Sequence, residues 1–74
     1  MAKKYDWGNL EIPECIKWIA TNENGEVFGF TNKPILNNCS LGWESTNKNH
    51  NPMRINLKPH EGGWEESLEQ RTII

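Results

Sequence analysis

Long apolar runs are missing from this 74-residue chain. No stretch approaches the roughly 18 consecutive apolar residues of a membrane-spanning helix, and no apolar segment follows the lysines near the N-terminus. We therefore expect neither a membrane span nor a secretory signal, and we predict a cytoplasmic protein without a membrane partner. A strong charge of one sign is also missing. The net charge of −2 disfavours a basic nucleic-acid-binding domain.

Cysteine is scarce, since Cys15 and Cys39 are the two in the chain. Without a secretory signal, we expect both thiols to be reduced. Together with His50 and His60 they form a nominal Cys2His2 zinc set, but structural zinc sites bring their ligands in close pairs and this chain has none. The spacing predicts no metal site, and nothing else in the sequence indicates a cofactor.

Catalytic motifs are also absent from the sequence. The neighbouring pairs Glu65–Glu66 and His60–Glu61 are the local candidates for acid–base chemistry, which requires a pocket that shifts their pKa values. We expect solvated acidic side chains instead. The Cys–His combinations lack an identifiable third group that would orient a nucleophile pair. We predict that the chain is not an enzyme and has no catalytic residue.

The strongest local pattern is a β-hairpin between residues 16 and 31. Two segments rich in β-branched and aromatic residues flank the turn sequence Asn22-Glu23-Asn24-Gly25. A three-residue loop sets Trp18 opposite Phe30 and gives Gly25 a left-handed backbone. That register gathers the apolar side chains on one face, which we expect to be the core: Ile16, Trp18, Ala20, Phe28 and Phe30.

Three further elements complete the predicted fold. Short strands are expected near 41–45 and at 53–58, where apolar and polar residues alternate. A helix is expected at 64–71, with Trp64 and Leu68 docking it through their shared face. The predicted class is α+β, a small antiparallel sheet of three to four strands with one short C-terminal helix. Residues 1–74 form one domain, with an irregular arm at 1–14 and a mobile polar loop at 46–52.

The order of motifs from Trp18 to Arg71 resembles a group of very small bacteriophage and prophage proteins. Their pattern runs W-I-A-x-D-x-x-G-x-V-x-x-F, then K-P, then a tryptophan, then W-x-x-S-L-x-x-R. This chain has Asn22 where that pattern has aspartate, and it carries a long asparagine-rich loop. The resemblance implies a setting, a phage gene expressed in the bacterial cytoplasm, and it implies no particular mechanism.

Protein binding is the function that this setting and composition favour. Interfaces use tryptophan, tyrosine and arginine as anchors. We predict a phage accessory protein that binds a host protein, for instance as an inhibitor of a host antiviral defence. A homodimer is a further option, since it would enlarge a small core. The predicted partner-binding residues are Tyr5, Trp7, Trp43, Arg54, Trp64 and Arg71.

Two alternatives come from other classes of protein. The chain is either a binder or sponge of a nucleotide or nucleic acid, or a minor component of virion assembly. Nucleic-acid binding would use the aromatic face of the hairpin for stacking, with Arg54 and Lys58 on phosphates. We expect that face to be covered by the C-terminal helix, and the net charge has the wrong sign, so nucleic acid is the less favoured partner.

Overall fold

Short antiparallel strands build the fold. The computed structural model describes residues 4–8, 12–46, 49 and 51–71. Within them a four-stranded sheet has the order β5-β2-β1-β6, and β3 and β4 form a separate two-stranded sheet. The predicted α+β class is wrong, because the helical content of the described residues is a single 3-10 turn. The elements are β1 (Trp18–Thr21), β2 (Val27–Phe30), β3 (Ile35–Asn37), β4 (Gly42–Glu44), β5 (Met53–Arg54), the 3-10 turn (Trp64–Glu66) and β6 (Glu69–Gln70).

The β1–β2 hairpin has the predicted register. Trp18 lies opposite Phe30, and Gly25 has a φ of +90°. The Asn24 side chain fixes the loop, since its carbonyl oxygen accepts the backbone N–H of Glu26 at 3.0 Å. Both features of the hairpin prediction are therefore confirmed, and both follow from local turn chemistry.

The main core lies on the other face of this hairpin from the one predicted. Ile19 and Val27 on that face are almost completely buried. Gly29 lies between them, where a Cβ atom would be 2.5 Å from Ile55 Cδ1 and 2.7 Å from Ile16 Cγ2. The absence of a side chain at Gly29 lets two isoleucines pack over the strand. The core cluster contains Tyr5, Ile12, Ile16, Ile19, Val27 and Ile55.

The face predicted to be the core is covered in part. Ala20 and Phe30 are buried there, whereas Trp18 and Phe28 remain half-buried. Ile16 was expected on this face but packs on the opposite one, against Gly29. The helix that was to cover this face does not form, and Trp18 and Phe28 keep part of their surface in water.

The predicted helix at 64–71 is a 3-10 turn followed by an edge strand. β6 pairs antiparallel with β1, Gln70 opposite Trp18 and Glu69 opposite Ile19. Eight residues make a marginal helix in water, and an unpaired edge of β1 offers backbone hydrogen bonds instead. Pairing with a distant strand therefore outweighs the local helical pattern.

The remaining strands are shorter than predicted or pair differently. The strand expected at 53–58 is confined to β5, because the N–H of Leu57 donates to the carbonyl of Ile55 at 2.9 Å and the chain turns there. The strand expected near 41–45 is β4, which pairs with β3 instead of joining the main sheet. The segment after Pro34 thus supplies a second hairpin.

The N-terminal arm is bound to the C-terminal segment in its described part. Tyr5 belongs to the core, and Lys4 Nζ donates to the carbonyls of Glu66 and Leu68 at 2.6 and 3.1 Å. In the predicted loop at 46–52, residues 47, 48 and 50 lie outside the described residues, as do 1–3 and 9–11 of the arm. In the part of the chain that the structure describes, no helix has the length and apolarity needed to cross a bilayer.

Candidate functional site

Tyr5, one of the predicted partner-binding residues, lies inside a buried hydrogen-bond network. Its hydroxyl donates to the carbonyl of Ser67 at 2.8 Å and lies 2.7 Å from Thr21 Oγ1. Burial raises the pKa of Tyr5 above its usual value of 10.0, against a smaller opposing effect of the Thr21 side chain. In this structure the tyrosine hydroxyl joins the arm to the sheet.

Trp7 and Arg71 are also engaged within the chain. The indole N–H of Trp7 donates to Glu69 at 2.7 Å, and the Arg71 guanidinium lies 5.1 Å from the centre of the Trp7 ring. Arg71 donates from Nε to the carbonyl of Ile16 at 2.8 Å and from Nη2 to that of Pro13 at 2.9 Å. These contacts hold the end of β6 against the segment before β1.

Trp43 and Trp64 are half-buried and linked to each other. The indole N–H of Trp43 donates to the carbonyl of Trp64 at 3.2 Å, and the backbone N–H of Trp43 donates to Asn22 Oδ1 at 3.0 Å. Each ring keeps part of its surface exposed. Asn22 therefore connects the β3–β4 hairpin to the end of β1.

Arg54 is the most exposed of the predicted partner-binding residues. Its side chain is 72% exposed, and its guanidinium lies 3.6 Å from the Glu26 carboxylate. A pair this exposed contributes little to stability. Arg54 lies directly opposite Phe28 in the β2–β5 pair, so a cation and a half-buried aromatic ring share one face of the sheet.

A surface that the sequence analysis missed lies on the β3–β4 hairpin. Ile35, Leu36 and Leu41 are 54%, 37% and 47% exposed, and we call these three residues the hairpin surface. Among the described residues, Met53 is the one other large apolar side chain with comparable exposure. The sequence signal was weak, because short apolar segments such as Ile35-Leu36 are also typical of a core.

The hairpin surface is presented by a well-defined turn. Asn37 Oδ1 accepts the backbone N–H groups of Cys39 and Ser40 at 2.9 and 3.2 Å. Leu41 has a φ of +56°, a left-handed conformation that branched and bulky side chains avoid. Its carbonyl accepts the N–H of Glu23 at 3.1 Å. The turn therefore holds an apolar side chain in water in a conformation that costs backbone free energy.

The ionisable groups of the candidate catalytic pairs lie on open surface. Lys58 and Glu61 form an exposed ion pair at 2.9 Å, and the hydrogen bond from Lys58 lowers the pKa of Glu61. They line an open cleft of about 610 Å³ that also includes His60. This arrangement keeps the Glu61 carboxyl ionised, whereas a general acid at neutral pH needs a raised pKa.

The two cysteines are free thiols and both are exposed. In the described residues, which do not include His50, no three histidine, cysteine, aspartate or glutamate side chains cluster as metal ligands. Comparisons with protein-family models, curated proteins and solved structures found no match to this chain.

Proposed function

We propose that this chain is a small accessory protein that acts by binding another protein through the hairpin surface. The observation that carries the proposal is the concentration of exposed apolar side chains on one hairpin, at Ile35, Leu36 and Leu41. Ile35 and Leu36 are neighbours on β3 and point to opposite faces of the hairpin, so a partner would contact the hairpin around its outer strand and tip. Exposed large apolar side chains gathered on one element mark interaction sites more often than scattered ones do. The half-buried Trp43 of the same hairpin is an additional anchor.

The backbone at the tip of the hairpin supports the same proposal. Leu41 holds a left-handed φ, where glycine or asparagine would be less strained. Strained backbone concentrates at binding sites. A leucine side chain kept exposed at such a position serves a contact better than it serves the stability of the monomer.

The proposed partner is a host protein in a bacterial cytoplasm. Support for this setting comes from the resemblance of the motifs between Trp18 and Arg71 to small phage and prophage proteins. A phage accessory protein without its own chemistry acts by occupying a surface of another molecule, and inhibition of an antiviral defence is one such action. Arg54, which is mostly exposed, is a second anchor on a different face.

Affinity capture with matched variants tests the proposal. The tagged chain is used to recover proteins from a bacterial lysate and is compared with the double variant Ile35→Lys/Leu41→Asn. Met53→Lys is the matched control, because Met53 is 43% exposed but lies on β5. We expect the control to recover the same partner as the wild type and the double variant to lose it, at an unchanged melting temperature. Equal recovery by all three proteins would contradict the proposal.

One observation favours a second candidate function, the binding of single-stranded nucleic acid. The aromatic face lacks the helix that was expected to cover it, so Phe28 stays half-buried next to the exposed Arg54. Lys33 lies 5.8 Å from the centre of the Trp18 ring on the same hairpin. Aromatic side chains flanked by cations stack on bases, although the net charge of −2 opposes the approach of phosphates.

Fluorescence anisotropy with a labelled oligothymidylate tests this second candidate. Binding that falls with rising salt and is lost in Phe28→Ala and Arg54→Ala would support it. The Ile35→Lys/Leu41→Asn variant is the control, since it leaves the aromatic face intact. Absence of binding at low salt would eliminate the candidate without bearing on the hairpin surface.

A further inference from the structure

The loop of the β1–β2 hairpin contains the one Asn-Gly pair of the sequence, Asn24-Gly25. Asparagine is among the thermolabile residues, and a following glycine has no Cβ to keep its amide nitrogen away from the asparagine side chain. Asn24 is exposed, and nothing lies within 4 Å of a Cβ built on Gly25. Water therefore reaches this pair from outside the fold.

The chemistry of such a pair needs these two residues and water alone. The backbone nitrogen of Gly25 loses its proton to the solvent and forms a bond to Asn24 Cγ. The bond from Cγ to Nδ2 breaks, and Nδ2 leaves as ammonia with the proton it takes up. Water then opens the five-membered succinimide ring at one of its two carbonyls. The product at position 24 is aspartate or isoaspartate, with one water consumed and one ammonia released.

Hydrogen bonds of the folded loop engage both reacting groups. The Gly25 N–H donates to the carbonyl of Asn22 at 2.9 Å, so this bond is lost when the nitrogen gives up its proton. Asn24 Nδ2 donates to Glu26 Oε1 at 2.7 Å, and Asn24 Oδ1 accepts the N–H of Glu26 at 3.0 Å. The bond to the carboxylate is charge-assisted and therefore strong, and it cannot survive the departure of Nδ2. The folded loop thus opposes the reaction.

We propose that Asn24 is a self-modification site, which the folded loop protects and which reacts when the loop opens. Exposed hairpin loops open locally at a smaller free-energy cost than the strands that they join. Conversion to aspartate and isoaspartate therefore accumulates with the time that the chain spends with this loop open. The site goes beyond the proposed function and is independent of it, because no partner takes part in the reaction.

The product changes the loop in charge and in length. Aspartate replaces the Nδ2 donor with a negative oxygen that faces the Glu26 carboxylate, and like charges at this separation repel. Isoaspartate adds one carbon to the backbone of a loop that is closed by the bond from the Asn22 N–H to the Glu26 carbonyl at 2.9 Å. Asn22 also holds Trp43 of β4. We therefore expect the converted protein, separated by its extra charge, to melt at a lower temperature than the unconverted protein.

Peptide mapping by mass spectrometry tests the proposal. The protein is incubated at mildly alkaline pH, either folded in buffer or unfolded in guanidinium chloride. The peptide that contains Asn24 is followed for the gain of about 1 Da that accompanies conversion of an amide to an acid. We expect this peptide to convert first, and at least about tenfold faster in the unfolded chain, since the folded loop has to give up two hydrogen bonds. Equal rates in both states, or faster conversion of another asparagine, would overturn the proposal.

Glu26→Ala separates the effect of the loop bonds from that of unfolding in general. It removes the acceptor of Asn24 Nδ2 and keeps the Asn-Gly pair, so we expect the folded rate to rise at least about threefold relative to the unfolded rate of the same variant. Arg54→Ala is the matched control, because it breaks the 3.6 Å contact with Glu26 Oε2 and leaves the bond from Asn24 to Oε1 in place. Its ratio of rates should equal that of the wild type. An unchanged ratio in Glu26→Ala, or an equal rise in both variants, would overturn the proposal.

Discussion

At the scale of single residues, a series of hydrogen bonds connects four segments of the protein that are distant in sequence. The Tyr5 hydroxyl donates its one hydrogen to the Ser67 carbonyl, so it accepts from Thr21 Oγ1. Thr21 Oγ1 in turn accepts the backbone N–H of His60 at 3.2 Å. Tyr5 and Thr21 each both donate and accept, and no buried side-chain polar atom among the described residues lacks a hydrogen-bond partner.

The buried hydroxyl of Tyr5 predicts how the free energy of unfolding falls at alkaline pH. Burial raises the pKa of Tyr5 above its usual value of 10.0, so the folded state keeps the proton while the unfolded state releases it. The stabilisation is complete below about pH 10 and is lost as the pH rises through the folded pKa. In urea titrations from pH 7 to 11, we expect the wild type to be about 1–2 kcal/mol more stable than Tyr5→Phe at neutral pH, with the gap closing above pH 10. A gap that widens there would contradict the assignment.

Gly25 makes a second prediction at the residue scale. Nothing lies within 4 Å of a Cβ built there, so the φ of +90° is the main obstacle to a side chain. Gly25→Val should cost about 1 kcal/mol or more through backbone strain. Gly63→Val is the control, since Gly63 has equally open space and an ordinary φ of −59°. Thermal melts compare the two variants. Equal losses of stability would show that the positive φ of Gly25 is not the cause.

At the scale of elements, β6 is extended by side chains at both ends. Beyond Glu69, the Ser67 hydroxyl accepts the N–H of Thr21 at 2.8 Å and lies 2.9 Å from its carbonyl, where the next rung would be. Beyond Gln70, Arg71 reaches the carbonyls of Ile16 and Pro13. The S-L-x-x-R motif is thus a two-residue strand with a side-chain hydrogen bond at each end.

Sequence reasoning predicted the β1–β2 hairpin but not β6, and the reason is the range of the interactions. The loop around Gly25 is defined by neighbours in sequence, so its register followed from the residues. Ser67 and Arg71 bond to residues about fifty positions earlier, and no local pattern indicates those partners. Glu65, Glu66 and Arg71 matched a helix with favourable end charges, which a distant edge strand outweighed.

Ser67 tests this account of β6. The side chain is fully buried. Ser67→Ala leaves the N–H of Thr21 without its acceptor and removes the one hydroxyl hydrogen that the carbonyls of Trp64 and Thr21 share at 2.6 and 2.9 Å. We expect a loss of about 1–3 kcal/mol per unsatisfied buried group, measured by urea unfolding. Ser40→Ala, at an exposed position in the β3–β4 turn, is the control and should be close to neutral. A neutral Ser67→Ala would mean that β6 does not depend on this hydroxyl.

At the scale of the whole molecule, the residues that stabilise the fold and the residues of the candidate site lie in different parts of the protein. The core and the two-sided pairing of β1 lie in the main sheet, whereas the hairpin surface lies on a two-stranded unit. Sequence analysis placed anchors at tryptophans and arginines, and many of these bind within the chain. Exposure of Ile35 and Leu41 depends on how β4 docks at Asn22, which is a tertiary contact that composition does not reveal.

This separation predicts the order of amide hydrogen exchange. The Thr21 N–H is buried and bonded to Ser67, so it should exchange only when the main sheet opens. Leu36 lies opposite Trp43, and the N–H of Trp43 points away from β3 to Asn22 Oδ1. The Leu36 N–H therefore points away from β4 and should exchange without unfolding. For a small domain stable by a few kcal/mol, we expect Thr21 to exchange at least about 100-fold more slowly than Leu36 after correction for intrinsic rates. Equal protection of both amides would show that the outer edge of β3 is covered.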